Sequence, residues 1–353
     1  MPTVSHLEAW HRRVITGQST TFASRLARGA LHLASIPYAA AVGWRNRGFD
    51  RRPATKLPRP TVSIGNVTAG GTGKTPTVAW LASVLMHHDE RPAVLTRGYG
   101  SRPGETADEE QLLAELLGDD VPIHVNPDRV AGAAAVVAER PDVSVFLLDD
   151  GFQHRRAGRE FNLVLVDTTC PDGFGHVLPR GYLREPFASI ARADAVLLTR
   201  CNRGDADAAE ALVRRHFDGP IYRSHFRMTL DASGPVVVAS GIGNPHAFAA
   251  DVRAIGIDIT DELRFPDHHP FSVADVARIT VSVPTGGSAV VTGKDWTKLR
   301  PLWPADVPIA VAGQELVVDD AAGLIDSVLA AIRPAAKNST SPAVKTKIET
   351  HIE

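Results

Sequence analysis

The 353-residue chain is 44% hydrophobic and 22% charged, an ordinary globular composition that excludes a largely disordered protein. Lys and Arg number 38 against 40 Asp and Glu, and a net charge of -2 argues against a protein that wraps nucleic acid. Two cysteines, Cys170 and Cys201, exclude a disulfide scaffold and a structural zinc site and fit a reducing compartment.

The first 59 residues differ from the rest. They hold ten Lys and Arg but only two acids, Glu8 and Asp50. Within them lies the apolar run ALHLASIPYAAAVGW, residues 30–44, interrupted by His32 and Pro37 and flanked by arginines. It is short of the ~20 apolar residues of a bilayer span. A signal peptide fits poorly, because no acceptable cleavage region follows. Two readings stand. In one, an interfacial helix dips Leu31, Leu33, Ile36, Tyr38 and Trp44 into acyl chains while arginines meet anionic headgroups. In the other, the run is a core helix with a solvated basic flank.

From Pro60 strand-like and helix-like segments alternate. TVSIGNV (61–67), AVLT (93–96), VSVFLLDD (143–150), NLVLVD (162–167) and DAVLLT (194–199) read as buried strands. Residues 74–88, 108–117 and 128–139 read as helices. The alternation predicts crossover units and a parallel sheet covered on both faces. After about residue 220 the pattern restarts with PVVVAS (235–240), a helix near 245–254, SAVVT (288–292), VPIAVA (307–312) and a helix near 319–333. The predicted domains are a basic, apolar helical segment over 1–55, a phosphate-loop domain over 56–225, a smaller α/β domain over 226–335 and a frayed tail over 336–353.

The segment SIGNVTAGGTGKTP (63–76) follows a strand and opens a helix, the context of a phosphate-binding loop. Thr68, Ala69, Gly70, Gly71, Thr72 and Gly73 form the loop, where glycines let backbone N–H groups converge on phosphate. Lys74 supplies a cation to the β- and γ-phosphates and Thr75 a hydroxyl to Mg²⁺. Thr68 stands where the usual loop pattern has its first glycine. VFLLDDGFQHRR (145–156) ends a strand in Asp149 and Asp150. Two adjacent carboxylates at a strand tip repel each other, and a divalent cation is their natural neutraliser. Gln153 and His154 follow with groups suited to phosphates or sugar hydroxyls. TRGYGSR (96–102), LREP (183–186) and FPDHHPFS (265–272) occupy further loops.

These motifs, in this order and with the near-match VTGKDWTKL (291–299), resemble the tetraacyldisaccharide 4'-kinases, the lipid A 4'-kinases, over roughly residues 30–330. The resemblance implies a P-loop NTPase-like parallel-sheet domain, a smaller α/β domain and an N-terminal membrane-interfacial helix. It implies transfer of the ATP γ-phosphate to the 4'-hydroxyl of a tetraacyldisaccharide 1-phosphate, giving lipid IVA at the cytoplasmic face of the inner membrane. The implied ligands are ATP, Mg²⁺, the lipid-linked disaccharide and anionic membrane lipids. Asp149, Asp150 and Glu185 are implied as metal-organising acids, and Gln153, His154, Arg129 and Arg184 as residues lining the nucleotide or substrate cleft. Asp108 matches the family's proposed proton acceptor, with His268 favoured over His269 as its partner. The flanking Gly and Pro of that acceptor motif are absent around Asp108, and Gly293 replaces a family glutamate. A soluble small-metabolite kinase, a nucleotide-dependent switch and a degenerate family member that binds ATP without transferring its phosphate are the competing readings.

Overall fold

The computed structural model describes residues 10–11, 13–98, 108–267 and 269–333, with side chains for all of these except 108–110. A long helix, α1 (Phe22–Asp50), comes first, capped by the Thr21 hydroxyl, which accepts from the Ser24 amide. The first half then alternates β1 (Thr61–Asn66), α2 (Lys74–His87), β2 (Pro92–Thr96), α3 (Asp108–Leu117), β3 (Ile123–Val125), α4 (Arg129–Glu139), β4 (Val145–Asp149), β5 (Phe161–Asp167), β6 (Ala195–Thr199), α5 (Ala206–Arg214) and β7 (Ile221–Thr229). The second half carries β8 (Val236–Ser240), α6 (Pro245–Ala254), β9 (Ile259–Arg264), α7 (Val273–Ser282), β10 (Ser288–Thr292), α8 (Gly293–Leu299), β11 (Ile309–Val318) and α9 (Ala321–Ile332).

Among the described residues these strands form one eleven-stranded sheet, ordered β3-β2-β4-β1-β5-β6-β7-β11-β10-β8-β9. Every pair is parallel except β7 with β11, which runs antiparallel from Ser224↔Val318 to Thr229↔Gly313. The apolar strands β1, β2, β6 and β8 are buried at every position, as strands covered on both faces require. β7 was not foreseen. In its sequence IYRSHFRMT only Tyr222 and Ser224 are buried, and it joins the two parallel halves. The three-residue β3 and the polar β9 were also missed, both lying at the sheet's margins.

α9 crosses back to the first half. Leu324 and Val328 are fully buried in the same core as Val62, Ile64, Leu81 and Leu163. The chain's last helix thus completes the hydrophobic layer beneath the phosphate-loop strand. The order of the sheet matters for the site. β1 lies between β4 and β5, so the loops after β1 and β4 rise side by side at the sheet's carboxyl end.

No described helix is long and apolar enough to cross a membrane. In α1 only Ser24, Ser35 and Val42 are buried, while Phe22, Leu26, Leu33, Ile36 and Trp44 are all exposed. Their successive spacings of four, seven, three and eight residues place them along one helix face. Tyr38, expected among the lipid-facing side chains, points the other way. Its hydroxyl donates to the Arg184 carbonyl at 3.0 Å.

Candidate active site

The loop after β1 takes its shape from its glycines and from three neighbouring segments. Gly73 begins α2 with φ +90, and a Cβ there would collide with the Phe226 ring. No other residue type combines that backbone angle with that close approach. Asn66, at the tip of β1, donates to the Thr72 hydroxyl at 2.9 Å. The Thr199 hydroxyl donates to the Thr72 carbonyl at 3.0 Å, and the Arg200 guanidinium to the Gly71 carbonyl at 2.8 Å. The Ala69 amide donates to the Tyr182 carbonyl, and Thr68 bridges to Leu183. Thr68 is buried there, its methyl set against Gly173. The residue that departs from the usual pattern is thus packed against the neighbouring loop. Carbonyls are held from outside, while the crest residues Gly70 and Gly71 stay exposed.

Lys74 and Thr75 open α2 in its first turn, where backbone N–H groups and the helix dipole favour an anion. The Lys74 ammonium lies 3.6 Å from Asp150 Oδ1, and Arg184 reaches Asp150 Oδ2 at 2.6 Å. Asp150 itself has φ 51, a rare backbone state for a non-glycine residue. Burial pushes its pKa up, but the Lys74 and Arg184 charges outweigh burial and hold the carboxyl below its usual range. This carboxylate is therefore ionised at neutral pH and poised between two cations.

The loop carrying Asp150 is pinned from beneath by Arg159, a residue missed in the sequence. Its guanidinium donates to the carbonyls of Gly151 at 2.7 Å and Ala157 at 2.9 Å, and also to that of His154. Burial first, then Arg192 and Arg155 nearby, lower its pKa to about 10, still well above neutrality. Gly151 has no room for a Cβ, because Ser63 Oγ would lie 2.6 Å away. Gln153 spans the site's floor, donating to the Asn66 carbonyl at 2.7 Å and to Glu185 Oε1 at 3.0 Å.

Glu185, expected as a metal-organising acid, has a different place. It is fully buried, and its Oε2 accepts from Arg192 at 2.8 Å and from Asn46 of α1 at 3.1 Å. With Gln153 on Oε1 its oxygens are already engaged, so it ties α1 to the catalytic loop and does not face the cleft. Arg129 is also buried and lies beneath the strand tip, donating to the Asp149 carbonyl at 3.3 Å. The Thr96 hydroxyl contacts Asp149 Oδ2 at 3.4 Å. His154 is pushed toward the neutral form by burial and then by Arg129 and Arg159.

Several buried acceptors here lack a hydrogen-bond partner: Asn66 Oδ1, Asp150 Oδ1, Gln153 Oε1 and His154 Nδ1. Buried polar groups are ordinarily satisfied, so this concentration marks a place for a polar ligand. No group of three His, Cys, Asp or Glu among the described residues could hold a metal alone. Mg²⁺ does not need one, since it takes one or two carboxylates and completes its octahedron with phosphate oxygens and water. Thr75, Asp150 and the neighbouring Asp149 form a donor set of that kind. His268 and the side chain of Asp108 lie outside the described residues. The His269 Nε2–H donates to Asp275 Oδ2 at 3.1 Å and the ring stacks on Phe265, a structural position.

Comparison with known proteins agrees with this geometry. The family model described as "Tetraacyldisaccharide-1-P 4'-kinase" matches residues 27–333. A tetraacyldisaccharide 4'-kinase of Geobacter metallireducens is 37% identical over 308 residues, covering 79% of this chain and 90% of that protein. One from Pelobacter propionicus is 35% identical over 358 residues, covering 92% and 98%. The crystal structure of LpxK from Aquifex aeolicus in complex with ATP superposes with a TM-score of 0.71 at 26% identity, covering 87% of this chain and all of that one.

Proposed function

This chain belongs to the tetraacyldisaccharide 4'-kinase family, and we propose that it transfers the γ-phosphate of ATP to the 4'-hydroxyl of a tetraacyldisaccharide 1-phosphate in lipid A biosynthesis. The observation that carries this reading is the Lys74–Asp150–Arg184 cluster at the mouth of the glycine loop, beside unsatisfied buried acceptors. Phosphoryl transfer asks little covalent work of a protein. It needs positioning and charge neutralisation at the transferring group. Lys74 and the amides opening α2 hold the β- and γ-phosphates. Arg184, held by Asp150, presents its remaining N–H groups to developing charge. Thr75, Asp150 and Asp149 are the residues that would hold Mg²⁺, which would supply charge neutralisation at the phosphates. Asp108 orients the sugar hydroxyl and accepts its proton, with His268 as its partner.

The exposed apolar face of α1 supports a peripheral place on an anionic bilayer, at the inner membrane's cytoplasmic face. Arg25, Arg45 and Arg47 lie on the same helix, and Arg51 and Arg52 follow its last turn. The deciding experiment incubates purified protein with labelled ATP, Mg²⁺ and the disaccharide lipid and weighs the product. Gain of one phosphate on the non-reducing sugar is expected. ATP hydrolysis without a phosphorylated lipid, or phosphorylation of a water-soluble sugar alone, overturns the assignment. Co-sedimentation with anionic vesicles tests the docking, and equal binding after deletion of residues 1–45 would remove α1 from that role.

A further inference from the structure

The last turns of α1 show two faces. Trp44 is 78% exposed and points outward with the rest of the apolar stripe. Asn46, two residues or about 200° further round the helix, points inward. Its Nδ2 donates to Glu185 Oε2 at 3.1 Å. The chain around it is clamped as well. The Arg155 guanidinium donates to the Asn46 carbonyl at 3.1 Å and to Asp50 Oδ1 at 2.6 Å, and it lies over the Phe49 ring. The end of α1 thus grips both the loop that carries Glu185 and the loop that carries Asp150.

Glu185 is fully buried, and its two oxygens are held by different partners. Arg192, stacked on the Phe152 ring, donates to Oε2 at 2.8 Å alongside Asn46. Those two donors fix Oε2 and leave Oε1 turned toward Gln153. Gln153 uses both hydrogens of its amide nitrogen, one on Glu185 Oε1 at 3.0 Å and one on the Asn66 carbonyl at 2.7 Å. Its amide has one orientation, because reversal would set its oxygen against a carboxylate and a carbonyl. Asn66 continues the row by donating to the Thr72 hydroxyl of the phosphate loop at 2.9 Å. Contacts therefore run unbroken from Asn46 through Glu185, Gln153 and Asn66 to Thr72. They leave Gln153 Oε1 and Asn66 Oδ1 buried without donors, open to a ligand.

We propose that Asn46 is a positioning residue for phosphoryl transfer. By fixing the Glu185 carboxylate it fixes the Gln153 amide, and so keeps the free acceptors and the phosphate loop in the geometry that receives nucleotide. One helix then serves the bilayer with its outer face and the nucleotide site with its inner one. The proposal rests on the kinase reading above. In a poorly screened interior each hydrogen bond of such a row orients and strengthens the next. Removal of the first donor is therefore felt at the far end, at the phosphate loop.

The test measures the dissociation constant of the β,γ-imido analogue of ATP with Mg²⁺, without acceptor, beside steady-state turnover of the disaccharide lipid in detergent micelles. Asn46→Leu keeps the side chain's size and removes its donor. It should weaken analogue binding and raise the KM for ATP about tenfold, the scale of one hydrogen bond to a charged group. The acceptor KM and co-sedimentation with phosphatidylglycerol vesicles should stay as in the wild type. Gln153→Leu should lose at least as much affinity, and adding Asn46→Leu to it should lose little more. Asn46→Ser lets a water stand in for the amide and should lose less, which keeps the test open if Asn46→Leu does not fold. Wild-type nucleotide affinity in both Asn46 variants overturns the proposal. So does a double variant whose loss is the product of the two single losses, or a parallel rise in acceptor KM that marks a general loosening of the site. If the wild-type protein binds the analogue but phosphorylates no lipid, the kinase reading fails, and the nucleotide-affinity cycle still decides the role of Asn46.

Discussion

The carboxyl ends of the two sheet halves present similar residue types and use them in opposite ways. After β1 and β4, Lys74 and Arg184 pair with Asp150 beside Asn66 Oδ1 and Gln153 Oε1, buried acceptors without a hydrogen-bond donor. After β8 and β10 the acids are consumed internally. Asp295, almost wholly buried, accepts from the Gly241 amide at 3.1 Å and the Thr292 hydroxyl at 2.7 Å. Asp275 closes a capping box with Ser272 and also holds His269. The TGKD stretch at 292–295 repeats the Thr-Gly-Lys order of the phosphate loop, yet its threonine caps a seven-residue helix by accepting from the Asp295 amide. Motif resemblance does not separate the two. The state of the polar atoms does, because a buried acceptor without a donor signals a ligand and a saturated one signals architecture.

Substitutions on the two sides should therefore fail differently. Lys74→Ala removes a charge aimed at the transferring phosphoryl group, and steady-state assays should show kcat reduced by about 10²–10³ or more. Near-normal turnover would erase the distinction between the halves. Arg159→Met leaves the carbonyls of Gly151, His154 and Ala157 without their donor beneath the catalytic loop. Denaturant unfolding should show a loss of roughly 3 kcal/mol, with turnover falling as the loop loses its shape. In the second half, Asp275→Ala removes one side of a capping box and the partner of His269, and the same measurement should register about 1–2 kcal/mol.

Half-buried Asp150 and buried Asp295 should also carry opposite pH signatures. Asp150 has a lowered folded pKa, so its contribution is present above the ordinary carboxylate value of about 3.9 and is lost as pH falls through the folded value. Asp295 has a raised folded pKa, caused first by burial, so its contribution is complete below the ordinary value and is lost as pH rises through the raised one. Melting curves of Asp150→Asn should converge on wild type as pH falls below 4. Those of Asp295→Asn should gain on wild type as pH climbs from 4 toward neutrality. A gain for Asp295→Asn that shrinks over that interval would show the wrong sign of shift.

The phosphate loop was legible in the sequence because its chemistry is local: glycines, Lys74 and Thr75 act within one turn of the strand–helix junction they punctuate. Asp149 and Asp150 were legible as a strand tip for the same reason. Arg159, Asn66, Thr199 and Arg200 were not. Each looks ordinary in its own segment and gains a role only from a partner on another strand or loop. One available signal was Asn66, an amide side chain closing a strand that is buried at every position. Glu185 and Tyr38 were legible as residues but not in direction. The same side chains would serve a metal or a bilayer had they faced the other way.

Patterning along the chain settled the element types, the parallel halves and the phosphate loop, since hydrophobic period and glycine placement act over a few residues. Long-range packing settled the rest. It joined the halves through the antiparallel β7–β11 pair, returned α9 to the first core, and turned α1 so that Tyr38 and Asn46 meet the catalytic loop while Trp44 faces outward. Those choices depend on surfaces that exist only once distant segments have met, and no local propensity encodes which partner a buried polar group will find.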